Sequence, residues 1–444
     1  MWFLTGFATG AGAVELEIAP GEDWCAALRQ APPGGEVILL PGDHAGRCVY
    51  TGGGEEGAPV VLRGPGGAPY PRMTYPGDDG RYEGTIEVQG DHLVIAEIEF
   101  GPSDWGHAVE VVRGDDLEVR GNLIHDLGGL GVVATAESTS RIRVLHNTFL
   151  DMRNSAIYLG CHTLDGCGSA DYQVIGNRFE RLTAPVVGMA MHLNVDSWGA
   201  VSDNVMTGIQ GPGIQVFGSR DPEKWTVIER NVLFRSETTA SLWISGGPVI
   251  ARNNVVIGGY TAGILAEDIE ARDLQSQVHI LGNTVIGDQG PAIDVVDWFE
   301  DRDLVLVGNA AWQEFGDWDP LPEPMTGVSV AGNVTCGPDC WVDADGPDLA
   351  PAASGPLRTD AATHPELTVD FCGVARTAGV AGAFVSRGPG RLDPALDAAA
   401  ACATEPVVFD DPPPSDAIDP RSCGCAAGAG AGTGTGAASW WLGL

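Results

Sequence analysis

Two carboxylates, Glu267 and Asp294, and one imidazole, His192, stand in this chain among aromatic and amide side chains that recur at related intervals: Tyr158, Asn194, Gln215, Phe217 and Trp243. Carboxylate pairs cleave glycosidic bonds, one as acid and the other as base or nucleophile. An imidazole or phenol can take the proton α to a carboxylate in a β-elimination, provided a cation stabilises the anion that forms. Aromatic rings stack on the apolar face of a sugar while amides bond its hydroxyls. These residue types are useful together only if the chain sets them on one face.

The framework that would do so is marked by nine asparagines: Asn122, Asn147, Asn177, Asn204, Asn231, Asn254, Asn283, Asn309 and Asn333. Their spacing of 23 to 30 residues is a period of stacked repeat folds. An apolar side chain stands three residues before each, from Val119 to Val330, and the series two residues after runs from Ile124 to Thr335. Alternation on both sides of a polar corner describes two short strands joined by a bend. A further apolar pair follows each bend, such as Val132 and Ala134 or Ile157 and Leu159. A unit this short cannot close its own core and must stack on its neighbours. In-register stacking would bring the asparagines into a buried ladder; each could otherwise serve only as a turn residue tolerant of the left-handed conformation.

The phrases LEVRGNLIHD, IRVLHNTFLD, YQVIGNRFER, WTVIERNVLF, VHILGNTVIG and SVAGNVT resemble the right-handed parallel β-helix proteins of the pectin-lyase-like superfamily. The resemblance spans about residues 20 to 385 and implies an all-β solenoid. It says little about activity, because that superfamily includes lyases, hydrolases, epimerases, phage tailspikes and adhesins. Signatures of two of its activities are missing: no Asn-Thr-Asp with Gly-His-Gly and Arg-Ile-Lys as in polygalacturonases, and no Arg-x-Pro-x-x-Arg as in pectate lyases.

On such a fold the outward positions of the strand after each bend form two columns. One reads Glu110, Val133, Tyr158, His192, Gln215, Trp243, Leu265, Asp294; the other reads Val112, Thr135, Gly160, Asn194, Phe217, Ser245, Glu267, Val296. Tyr158, Asn194, Gln215, Phe217 and Trp243 are expected as a glycan platform. Coil stacking of about 4.8 Å and a two-residue offset of about 7 Å put Glu267 and Asp294 roughly 8 Å apart, a separation suited to an inverting glycosidase. His192 or Tyr158 is the candidate base for elimination, but neither column holds Arg or Lys. Closely spaced carboxylates in DADGPD (343–348) and DWFEDRD (297–303) are candidate Ca²⁺ ligands or solvated turns.

Acidic residues outnumber basic ones 60 to 24, for a formal charge of −36. That excludes nucleic acid as a partner and disfavours polyanionic glycans unless a divalent cation bridges them. The ten cysteines suggest the pairs Cys25–Cys48, Cys161–Cys167, Cys336–Cys340 and Cys372–Cys402, and hence an oxidising compartment. No Cys-x-x-Cys pair or histidine cluster supports a zinc site.

At the N-terminus, residues 1–13 resemble the remnant of a secretory signal, and an amphipathic helix around Trp24, Ala27 and Leu28 is expected to plug the open end of the solenoid. The β-helix with its caps spans 14–385, with 367–384 similar to the closing segment of secreted β-helix proteins. Residues 386–422 are a Pro/Asp/Ala-rich linker. Residues 423–444 resemble the surface-sorting tails of myxobacterial proteins, which implies cell-envelope attachment, although the terminal Arg cluster of that pattern is missing. The chain is thus expected to be a secreted or surface-attached monomer that engages extracellular polysaccharide, either as a lyase or hydrolase or as a non-catalytic adhesive scaffold.

Overall fold

The computed structural model describes residues 14–384 and 402, apart from 76–82, 162–166, 185–187, 268–276, 297, 299–302, 315–318, 323–327, 336, 344–347, 352–356, 358–363 and 377–378. The expected signal remnant, sorting tail and all of the linker but Cys402, and most of both candidate Ca²⁺ segments, lie outside the described residues.

Each bend is made by two residues. The one before every ladder asparagine (Gly121, His146, Gly176, Asp203, Arg230, Asn253, Gly282, Gly308, Gly332) has φ between 53° and 67°. Glycine enters this left-handed region freely, and Asn or Asp at modest cost, which explains the recurrent Gly-Asn phrase. The turn sends the chain from a sheet 1 strand such as Leu117–Arg120 into a sheet 2 strand such as Leu123–His125, and a longer connection leads to a sheet 3 strand, Val132–Ala134. Strands of successive coils pair in parallel and in register, as Val119 with Val144, Ile124 with Phe149 and Val133 with Tyr158. Among the described residues the three sheets hold 15, 12 and 10 strands. The architecture is an all-β parallel β-helix with very little helix.

The asparagines form the expected ladder. Each Oδ1 from Asn147 to Asn333 accepts the backbone N–H and the Nδ2 of the asparagine one coil earlier, at 2.8–3.1 Å. Each Nδ2 also donates to a main-chain carbonyl, as Asn231 does to Val201 at 3.0 Å. All but Asn333 are buried. Inside the coil the apolar residues flanking each bend fill the core, with Phe149 and Phe179 stacked at 4.9 Å. Two expectations fail at the last coil: Val330 is 46% exposed and Thr335 is exposed, because among the described residues no further sheet 1 or sheet 2 strand stacks over theirs.

Helix α1, Trp24–Gln30, closes the first coils. Asp23 caps it through the Ala26 N–H, Trp24 and Leu28 are buried in the main core, and the Cys25–Cys48 disulfide ties it to the Cys48–Tyr50 strand. Cys161–Cys167 and Cys372–Cys402 are also joined, and Cys340 is disulfide-bonded, its expected partner Cys336 lying outside the described residues. The closing segment, expected across the end of the solenoid, makes its contacts along the flank. Arg376 donates to Asn253 Oδ1 at 2.7 Å, Gly382 N–H to Gly308 O at 2.8 Å and Ala383 N–H to Thr284 Oγ1 at 2.9 Å. It straps several coils side by side.

Replacing Asn231 with Leu would strand the Asn204 N–H and the Val201 carbonyl inside the bend. At about 1–3 kcal/mol per orphaned group, a loss of roughly 2 kcal/mol or more is expected in urea unfolding. An unchanged midpoint would show that the ladder does not hold the coils.

Candidate functional site

Register decides what shares the outer face of sheet 3. Val133, Tyr158, His192, Gln215, Trp243, Leu265 and Asp294 pair successively, so the first expected column is one line across seven strands. Glu110 pairs with Val133 at its start as expected, and the line extends further than expected through Glu87 and Val49. Tyr158 and His192 stack at 4.2 Å with planes 6° apart, and His192 leans on Phe217 at 5.3 Å. Both rings of the stacked pair are half-buried, as are Trp243, Leu265 and Asp294.

The second column is less open than expected. Asn194 and Phe217 are each 3% exposed, Ser245 is fully buried, and Gln215 in the first column is 5% exposed. Asn194, Phe217 and Ser245 lie just past the ends of their strands and Phe217 packs against Val195, whereas Gln215 is central in Ile214–Val216. Asn194 is used internally: its Oδ1 accepts the Val195 N–H at 2.9 Å, and its Nδ2 donates to Cys161 O and, at 3.3 Å, to the Tyr158 hydroxyl. Asn194 and Phe217 therefore position Tyr158 and His192, and these two with Gln215 offer little surface themselves. The accessible stripe reduces to Tyr158, His192, Trp243, Leu265, Glu267 and Asp294.

At its far end the stripe carries the two carboxylates. Leu265 pairs with Asp294 and Glu267 with Val296, so Glu267 and Asp294 occupy adjacent strands two residues out of register. The Trp243 indole N–H donates to Glu267 Oε2 at 2.9 Å and so orients that carboxylate. Asp294 accepts the Val295 N–H at 2.9 Å, yet its proton affinity is raised because burial desolvates the charged form. One carboxyl inclined to keep its proton beside one held as an acceptor is a usable acid–base division. His192, with Nδ1 3.4 Å from the Met189 sulfur and its ring between Tyr158 and Phe217, faces no cation in either column.

Sequence reasoning missed a second charged group at the opposite end. Arg47 reaches Glu87 and approaches Glu83 at 3.7 Å, while Glu110 Oε2 accepts the Gly84 N–H at 2.9 Å and is pushed towards protonation by burial. The signal for it lay in Arg47, a cation just ahead of the first sheet 3 strand, which the column pattern does not include. A groove of about 480 Å³ lies off the stripe, lined by Asp115, Ser140, Asp196, Trp198 and Lys224.

No protein-family model matches the chain, and no curated protein matches it. Among solved structures it is similar to the pectate lyase Pel9A (13% identity, TM-score 0.46, covering 84% of this chain and 97% of that one). It is also similar to the PL6 family alginate lyase AlyGC (15%, 0.44, 72% and 53%) and to a rhamnogalacturonan lyase (11%, 0.44, 82% and 99%). Similarities of this size transfer no activity.

Asp294 has a testable pH signature. A carboxyl whose folded-state affinity for its proton is raised contributes stability that is complete below its ordinary value of 3.8 and is lost as pH rises through the raised value. Asp294→Asn keeps an oxygen for the Val295 N–H, so it should unfold at higher urea than the parent near neutral pH. The gap should close in acid. A variant less stable at neutral pH would show that the carboxylate is not desolvated.

Proposed function

We propose that this chain is an extracytoplasmic polysaccharide-binding β-helix whose ligand lies along the outer face of sheet 3. The observation that carries this reading is the registered stripe in which Tyr158, His192 and Trp243 give ring surface and Glu267 and Asp294 give hydroxyl-bonding carboxylates. Coils stack about 4.8 Å apart, so a chain-like ligand running along the stack meets Tyr158 and His192 and then, past the buried Gln215, Trp243, Leu265 and Asp294, which suits a repeating polymer better than a compact small molecule. The net charge of −36 and the paired carboxylates favour a neutral or basic glycan over a polyuronate. The disulfides support an oxidising compartment.

A second reading, hydrolysis, is favoured by the desolvated Asp294 beside an oriented Glu267. In it Asp294 protonates the leaving oxygen and Glu267 activates water, the separation of roughly 8 Å estimated from strand spacing leaving room for that water. Elimination by His192 is weaker, since nothing cationic in the columns would hold the carbanion.

The two readings separate on one panel of neutral and amino-sugar polysaccharides scored for retention and for product. Trp243→Ala should weaken binding by about 1–2 kcal/mol through loss of the stacking surface. Glu267→Gln and Asp294→Asn should abolish any turnover while leaving retention largely intact, because each keeps its shape and loses proton transfer. Retention insensitive to Trp243→Ala would move the site off this face, and retention by the parent with no product would leave a scaffold.

A further inference from the structure

The flank strap meets sheet 1 at a cluster outside the stripe. His279, on the sheet 1 strand Gln277–Leu281, has its Nδ1 2.8 Å from Glu366 Oε2, and His364 Nδ1 is 3.8 Å from the same oxygen. One donor atom from each of the three residues lies within 4.8 Å of those of the other two, and the side chains are 13%, 21% and 32% exposed for His279, His364 and Glu366. The imidazole rings meet edge to face at 5.3 Å, and Trp225 covers His279 at 5.0 Å. We propose that His279, His364 and Glu366 bind one divalent transition-metal ion of the zinc class, which clasps the strap to the solenoid.

Three arguments carry the assignment. A tetrahedral zinc ion bonds imidazole nitrogen at about 2.0–2.1 Å and carboxylate oxygen at about 2.0–2.2 Å, which sets its ligand atoms about 3.3 Å apart, between the two separations seen to Glu366 Oε2. An ion pair with Glu366 would need only one imidazole; two imidazoles and a carboxylate together are a borderline-soft donor set that suits zinc over calcium or magnesium. The strongly negative chain raises the local concentration of cations. Water fills the fourth position.

The clasp completes a strap already anchored elsewhere. Arg252 donates to Glu366 O at 2.6 Å and Asn253 Nδ2 to Val369 O at 2.8 Å, while Leu367 is buried with Ile250, Leu281 and Val307. Arg376, its affinity for a proton lowered to about 10 by burial, holds the far end through Asn253 and the strap's own carbonyls. The metal would fix the near end, where the contacts are most exposed.

The test uses the full chain, stripped with a chelator and titrated with ZnCl₂, with CaCl₂ and MgCl₂ as parallel arms. One equivalent of zinc should bind, raise the melting temperature and slow exchange of the Leu367, Asp370 and Arg376 amides, which bond within the strap. Co²⁺ should give the intense visible absorption of a tetrahedral site. His279→Ala and His364→Ala should each cut zinc affinity at least about tenfold. Their metal-free melting curves, together with Glu366→Gln as a shape-conserving third variant, show whether a variant has lost the fold or the site. Zinc binding unchanged in all three variants, or no binding by the parent, would overturn the site. Binding without a change in strap exchange would overturn the clasp.

Discussion

A parallel coil has a corner at which backbone donors and acceptors turn away from both flanking sheets, and the fold depends on satisfying them without water. The asparagine ladder does this. Each side-chain amide closes the bend of the coil before it and donates to the rung after it, so removing one rung disturbs both neighbouring coils. The ladder also locks register: once the bends superpose, the short strands on either side have no freedom to slip, and every outward side chain is aligned with its counterpart above and below. The candidate site is a consequence of that lock. Tyr158, His192, Gln215, Trp243 and Asp294 are distant in sequence and adjacent in space because their bends are stacked.

Length variation between coils is pushed into the connection from sheet 3 back to sheet 1. It is short from Ile244 to Val249, where Gly247–Pro248 makes the turn, and long from Leu159 to Ser169, where Cys161–Cys167 braces it. These connections leave from the ends of the sheet 3 strands, beside the second column. Phe217 packs on Val195 and Asn194 bonds the Cys161 carbonyl, so at these two strand ends the connection covers the second column, while Tyr158 and His192, one step back along the strand, stay half-buried.

This marks how much was legible in the amino-acid sequence. The ladder, the inward residues from Val119 to Leu306 and the order of the first column follow from local periodicity, because each is set by contacts repeated at every coil, and the capping helix follows from its own amphipathic pattern. The burial of Phe217 and Asn194 was not legible: it depends on where irregular connections fold, and these carry no repeat. The exposure of Val330 follows from the absence of a neighbour, which periodicity cannot register. His279 and His364 come together only because the strap doubles back along the flank, and a motif search by spacing sees two isolated histidines. Arg47 and Glu87 escaped for a related reason, since they belong to successive coils that precede the first ladder asparagine.

The distribution of charge completes the argument about what the surface can recognise. Most arginines of the described coils are committed to carboxylates on neighbouring coils: Arg141 to Asp116, Arg181 to Asp151, Arg230 to Asp203, Arg143 to Glu118, Arg252 to Glu229 and Arg220 to Asp196. Several of these pairs are exposed and each adds little to stability. Their effect is to neutralise the like-charge stacking that a parallel, in-register solenoid would otherwise impose on acidic columns. Cations spent in this way are not available to a polyanion, and the excess of acidic groups is left as the outward field. A glycan that approaches the sheet 3 stripe must therefore be held by ring stacking on Tyr158 and Trp243 and by hydroxyl or ammonium donors to Glu267 and Asp294. Binding of that kind should persist in salt for a neutral polymer and weaken with it for a basic one, so the salt dependence of retention reports the ligand's charge directly.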